Sequence, residues 1–487
     1  MISPTGATVL ACVAVFARLF LTYLGWHNVF SSRIELTSPI DSIERLKEGA
    51  ALVKLGMSPY SGSVLHTPPL VLFVLTPVLE FASGISNATV RSIITVLPFV
   101  IADLLTAAAL FVLATRVIGV SNNEGTRSGQ IKKAMHDNAR TDPASIHPAT
   151  VSALYLMNPA SIAACVAGST SGFGVLFFSI AAASAAQGDP ILAGAAIACA
   201  AYLNGLPSVL LLVPIASLVR NGIDSDAVQG KNEKTKSSFS SVIATVVSFT
   251  VTLFGLLFLS TVAYSDSGTT LIQWVNATYG FTLLVTDLTP NLGIYWYLFA
   301  ELFEHFTKFF LFAFHGFPVF LSVPLFVRHG RDKPMLCLVV SMAMSTALAA
   351  YPTWGSVASY LAFAPLPGVV QNKFSDFLVA AVFIIVATLA PIFWHLWIDM
   401  RVANANFFFA VTLAHFAAQA VLVVGWLKNA AGEGDGGVGD GEIDSNSKRS
   451  KGEDKNEIAD DAEDTEGNDD DDVPVSTGVS TGVRRRR

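Results

Sequence analysis

Asn404 and Asn406 stand two residues apart in the segment ANANFFF, where an apolar run begins. Two amides at that spacing offer donors and acceptors to sugar hydroxyls or phosphate oxygens. The pattern equally suits a helix N-cap, because Asn is among the best capping residues and a helix starts about here. The segment DLTPNLG poses a similar choice. Asp287 and Pro290 shape a turn, Asn291 presents an amide, and Gly293 leaves its backbone accessible before the aromatics Tyr295, Trp296 and Tyr297. A plain turn beside an interfacial aromatic belt is the alternative there. Glu301, Glu304 and His305 lie at i, i+3 and i+4 and would share one helical face, with no further metal ligand placed beside them. Packing and hydrogen bonding are the role expected of them, as of His395 between Trp394 and Trp397. Arg18 is an isolated charge inside the first apolar run and requires an acid elsewhere in the chain.

Other chemistries lack their residues. The sequence has no G-x-x-x-x-G-K-[ST] loop or H-E-x-x-H helix, so nucleotide hydrolysis and zinc proteolysis are not indicated. Cys12, Cys165, Cys199 and Cys337 sit in or beside apolar runs, without CxxC spacing or clustered histidines. They signal neither a disulfide framework nor a zinc site, and no cofactor or nucleic-acid partner is implied.

The elements that must position these residues are membrane helices. The chain is 52% hydrophobic and 14% charged, far below the roughly 25% charge of a soluble domain, with a mean hydropathy of +0.55. A span needs about 20 mostly apolar residues. Candidates fall near 5–26, 91–118, 148–167, 171–187, 190–203, 207–219, 240–265, 295–327, 335–350, 356–368, 377–398 and 405–427, which predicts an all-α polytopic protein of about twelve spans. The loops carrying Arg127, Lys132, Lys133 and Arg140, then Lys231, Lys234 and Lys236, then Arg328, Arg331 and Lys333, read as cytoplasmic by their positive charge. Loops near 27–66, 266–294, 351–355 and 399–404 then share the opposite side. Thr67 to Ser83, with Pro68, Pro69 and Pro77, would reverse this order if it crossed, and is read as a re-entrant or interfacial element on that side. The membrane domain covers 1–428. Residues 429–487 hold 17 of the 37 acids but 8 of the 30 bases and almost no apolar residues, the composition of a disordered cytoplasmic tail.

Five blocks carry a resemblance to a known family: Arg45 to His66 (RLKEGAALVKLGMSPYSGSVLH), Leu154 to Thr170, Asp287 to Phe306, Tyr351 to Pro365 (YPTWGSVASYLAFAP) and Phe393 to Leu413. In these the chain resembles PIG-U, the U subunit family of glycosylphosphatidylinositol (GPI) transamidase, over nearly the whole membrane part. The resemblance implies a noncatalytic, multi-spanning subunit of the endoplasmic reticulum. It would hold the GPI lipid for a cysteine-protease-like catalytic subunit, which attaches it to the C-terminus of precursor proteins. By the same resemblance Asn404, Asn406, Asn291 and Gly293 are the expected GPI-contacting residues, and the aromatic faces of Phe407, Phe408 and Tyr295 would receive acyl chains. The acidic tail and the 120–147 loop depart from the family pattern. An enzyme remains the alternative: EGAALVKLGMSPYSG followed by HTPPL looks like the first luminal loop of the polyprenyl-phosphate-mannose-dependent mannosyltransferases of GPI assembly, which implies a glycosyltransferase-C-like scaffold. Those enzymes carry an acidic pair in that loop for general-base work, where this sequence has Arg33-Ile34-Glu35.

Overall fold

The computed structural model describes residues 4–133, 147–228, 238–366 and 373–431. The acidic tail beyond 431 and residues 134–146 of the 120–147 loop lie outside the described residues. Along the chain run α1 (Pro4–Tyr23), α2 (Trp26–Phe30), α3 (Ile43–Lys54), α4 (Pro69–Ser83), α5 (Ala88–Lys133), α6 (Pro148–Met157) and α7 (Pro159–Ala167). Next come α8 (Ser171–Ala186), α9 (Pro190–Asn204), α10 (Leu206–Val209), α11 (Leu212–Val228), α12 (Ser238–Ala263), α13 (Leu271–Val275) and α14 (Phe281–Leu284). The last are α15 (Tyr295–Glu301), α16 (Glu304–His329), α17 (Pro334–Ala347), α18 (Trp354–Leu361), α19 (Lys373–Trp394) and α20 (Ala405–Ala431). No strand occurs among the described residues.

Six helical stretches are long and apolar enough to cross a membrane, and a seventh follows if α6 and α7 count as one span bent by 52°. The protein is thus an all-helical, multi-pass membrane protein. Most other expected crossings fall on shorter apolar helices, among them α8, α9 and α17. The bend has a local cause. Pro159 removes a backbone donor, and Asn158 caps the new helix by accepting from the Ala160 N–H at 3.0 Å.

Small residues let the central helices touch. A Cβ on Gly194 would come within 2.4 Å of the Thr245 carbonyl, so α9 and α12 meet backbone to backbone, the packing that membrane interfaces favour. Alanines 193, 196, 198, 200 and 201 are buried along the same helix. Two buried charges inside this bundle, Arg18 and Asp103, are paired. The Arg18 guanidinium, 1% exposed, donates to Asp103 at 2.8 Å and to the Leu156 carbonyl at 3.0 Å, and the Tyr155 hydroxyl donates to the second Asp103 oxygen at 2.8 Å. One cluster therefore ties α1, α5 and α6.

The turns separate into two ends. At one, Asn221 donates to the Arg331 carbonyl at 3.1 Å and Lys333 to the Ala430 carbonyl at 2.6 Å, so the ends of α16 and α20 meet. α17 leads away from that end to Tyr351, and α20 starts from the far end at Asn404. Both ends of α4 touch residues associated with this far end: the Leu70 N–H donates to Tyr202 at 3.0 Å, and Glu80 pairs with Lys54 at 3.6 Å.

Removing one partner of the buried ion pair leaves an unpaired charge, which costs about 3–5 kcal/mol. Asp103→Ala is therefore expected to lower thermal stability in detergent severely, whereas Arg18→Met with Asp103→Leu recovers most of it. A double variant as unstable as the single one would show that the pair is not what holds α1 to α5.

Candidate functional site

The four loops predicted to share a side are stitched together. The Glu35 carbonyl accepts from the Trp354 N–H at 2.9 Å, joining the first loop to YPTWG. Arg45 lies 3.8 Å from Asp287, and His66 Nδ1 is 2.7 Å from the Ala277 carbonyl, joining the first loop to the 266–294 loop. The His66 ring stacks on Phe281, and Phe281 stacks on Tyr351 at 5.1 Å. The Tyr351 hydroxyl closes the circuit by donating to the Asp287 carbonyl at 3.0 Å. A Cβ on Gly293 would lie 2.8 Å from Pro352 and 3.2 Å from the Ala349 carbonyl, so only glycine allows the DLTPNLG turn to seat against YPTWG.

DLTPNLG also meets ANANFFF. Tyr297 donates to the Asn406 amide oxygen at 2.5 Å and its ring stacks on Phe409 at 4.1 Å, while Trp296 packs against Trp397 and Phe408. The amides are used differently. Asn291 is 4% exposed and engaged on both sides, accepting from Gly293 N–H at 2.7 Å and donating to the Thr289 carbonyl at 3.2 Å. Asn404 and Asn406 are exposed, and only their oxygens are held: Asn404 accepts from the Asn406 N–H at 3.1 Å as the cap of α20, and Asn406 accepts from Tyr297. Their NH2 groups have no partner among the described residues. Capping and an outward amide are thus compatible at Asn404.

Other predicted residues fall elsewhere. Phe407 is 53% exposed, but Phe408 and Tyr295 are 0% exposed, so of the three only Phe407 offers a face to an acyl chain. Glu301 does not share a helical face with Glu304 and His305, because extended backbone at Leu302 and Phe303 separates α15 from α16. His395 pairs with Asp399 at 2.7 Å on an exposed π-helical turn.

A cavity of ≈ 200 Å³ lies beside the loop cluster, lined by His66, Ser171, Asn204, Ser208, Thr346 and Tyr351 among others. No Lys, Arg, Asp or Glu is among the described residues that line it, and neither are Asn291, Gly293, Asn404 or Asn406. Sequence reasoning missed this cavity. The signal was NGLPS at 204–208, a Gly and a Pro interrupting an apolar run, as in broken membrane helices that line cavities.

Burial governs the acids and bases of the loops. It pushes His66 below its ordinary pKa, so the imidazole is neutral with Nδ1 donating to Ala277. It raises the Glu35 carboxyl, which is 4% exposed with one oxygen unpartnered. Asp41 is pushed up to about 6 from an ordinary 3.8, with hydrogen bonds from Ser38 and Ser169 opposing the shift.

The family model described as GPI transamidase subunit PIG-U matches residues 12–415. The chain belongs to the PIG-U family. It is 31% identical over 427 residues to a Mus musculus protein named GPI-anchor transamidase component PIGU, covering 87% of this chain and 92% of that one. The Homo sapiens protein of the same name is 30% identical over 428 residues, with the same coverage. A Saccharomyces cerevisiae protein named GPI transamidase component GAB1 is 24% identical over 424 residues, 85% of this chain and 91% of that one. The PIG-U match takes in all four stitched loops and both asparagine segments.

The Asp41 shift sets a pH dependence. Folded Asp41 keeps its proton up to about pH 6 while the unfolded carboxyl releases it near 3.8, so the folded state binds more protons between those values. This group's contribution is greatest below that window, falls as pH rises through it and is flat above. Thermal unfolding of the wild type should lose stability across the window in excess of Asp41→Asn; parallel curves would assign the titration to another group.

Proposed function

We propose that this chain is the noncatalytic subunit that binds and positions the GPI lipid for attachment to the C-terminus of precursor proteins in the endoplasmic reticulum. The observation that carries the reading is the pair of exposed amides, Asn404 and Asn406, each held by its oxygen and left with its NH2 free. Two donors fixed side by side suit phosphate or hydroxyl oxygens. Pre-orientation by the cap and by Tyr297 reduces the entropy lost on binding. Asn291 and Gly293 hold the turn that places Tyr297, and Phe407 offers apolar area for a chain.

Orientation follows from charge. The turn with Arg328, Arg331 and Lys333 lies at the end opposite the loop cluster, so the positive-inside tendency puts the cluster in the lumen. α4, with both ends near the cluster, is read as re-entrant, and the bundle as about twelve segments on a glycosyltransferase-C-like scaffold. Glu35 favours binding over mannosyl transfer, because a buried carboxyl beneath the Trp354 backbone is poorly placed to take a proton from an acceptor hydroxyl. The contribution is positional: holding the GPI amine near an acyl-enzyme on a partner subunit raises the effective concentration of nucleophile.

The test is GPI attachment to a reporter in cells lacking their own U subunit, with assembly followed by co-purification. Wild type should rescue, and an assembled Asn404→Ala/Asn406→Ala variant should lose on the order of tenfold or more, as expected for two hydrogen bonds of about 1 kcal/mol each. Tyr297→Phe, which frees the Asn406 amide to rotate, should give a smaller loss. Full rescue by the double variant would reduce the pair to helix capping.

A further inference from the structure

Beside the hydroxyl-lined cavity lies a second space of different character. It measures ≈ 230 Å³ and is bounded by Leu70, Val74, Phe173, Phe177, Leu203 and Leu256, between α4, α8, α9 and α12. Its one tyrosine, Tyr202, already has its hydroxyl engaged by the Leu70 N–H and by Ser260 at 2.6 Å. Val74, at 67% exposure, places the slot at the outer face of the bundle, where acyl chains surround the protein. Leu203 lines both spaces, so they are neighbours at that side chain.

The polar cavity narrows the chemistry of an occupant. Ser208 and Thr346 line it with hydroxyls that bond to no other described protein group, and beside them the Ser345 oxygen is fully buried and unsatisfied. An unpaired buried hydroxyl is unfavourable, and more so in a bilayer where water is scarce. Fixed charge is missing from the described lining, which disfavours a phosphate or ammonium head and favours hydroxyls. A cavity of ≈ 200 Å³ has room for at least one ring-sized group, since about 150 Å³ suffices for benzene.

We propose that the two spaces form one lipid site, separate from the Asn404 and Asn406 surface, for a lipid with a single uncharged polyhydroxy ring as headgroup. The ring occupies the cavity beside Ser208, Ser345 and Thr346, and the chain passes Leu203 into the slot. The site lies within this one chain, and none of Asn291, Asn404 and Asn406 lines either space, so it is tested separately from the reading above.

The full-length chain, purified with its associated subunits into phosphatidylcholine nanodiscs, tests this with two probes sharing one diazirine-bearing chain. One is an alkyl glucoside and the other a phosphatidylcholine. The glucoside should label α8, α9 or α12 peptides near Phe177, Leu203 and Leu256, saturably and in competition with unlabelled alkyl glucoside. Ser345→Ala/Thr346→Val, nearly isosteric and fold-sparing, should weaken glucoside labelling by about tenfold, the effect of losing two hydrogen bonds, and leave phosphatidylcholine labelling unchanged. Leu203→Trp should block both there, and Asn404→Ala/Asn406→Ala neither. Equal labelling by the two probes, insensitive to Ser345→Ala/Thr346→Val, would reduce the slot to a tail crevice beside a water-filled cavity. Absence of saturable labelling at these helices would overturn the site outright.

Discussion

A charge inside an apolar bundle must be neutralised by the protein itself, and the way Arg18 meets that requirement sets much of the architecture. Its guanidinium reaches Asp103 on α5 and the Leu156 carbonyl near the end of α6, so the axial register of three helices is fixed at one point. Asn158 then redirects the chain into α7, which ends at the 168–170 turn. There the Thr170 N–H donates to the Asp41 carbonyl at 3.0 Å and Ser169 to the Asp41 carboxyl at 2.8 Å. The loop that leaves α1 is thereby anchored to the helix pair that α1 itself positions. The later contacts of that loop, Arg45 with Asp287 and His66 with Ala277, follow from this seat.

The distribution of hydrogen bonds separates residues that hold the loop cluster from residues that face outward. Asn291 uses both ends of its amide within its own turn and is buried, which suits a scaffold role. Asn404 and Asn406 use only their oxygens, and the bonds that cap α20 and bind Tyr297 also fix the direction of the free donors. An amide of identical chemistry thus does different work according to which of its atoms the fold consumes. The aromatic contacts reinforce this, since Trp296 locks α15 to α20 and leaves Tyr297 at the edge beside Asn406.

Much of this was legible in the residues. Turn formers and aromatics marked the loops that meet, and Arg18 announced a buried partner. The identity of that partner was not legible, because Asp103 lies 85 residues away and only packing brings it near. Asn406 could be singled out by spacing, but its tie to Tyr297 spans 109 residues and depends on how α15 lies against α20. Glu301 was misplaced for a local reason: helical spacing assumes an unbroken helix, and the chain becomes extended at Leu302 and Phe303 with no Gly or Pro to mark it. The cavity is the extreme case: NGLPS marks the interrupted run, but the rest of the lining comes from several segments that only packing brings together.

An interrupted helix accounts for a polar cavity in so apolar a protein. α9 ends after 15 residues, the chain turns at Gly205 with a positive φ, and α10 starts at once. Irregular backbone within an apolar bundle is tolerated only where protein or a polar cavity surrounds it. Asn204 supplies part of the surroundings, donating to the Ala200 carbonyl at 3.0 Å, and Tyr279 supplies another part by donating to the Tyr202 carbonyl at 2.7 Å. The hydroxyls facing the same space from α17 are of one chemistry with these groups. The polar lining of the cavity is in this sense what the interrupted backbone demands.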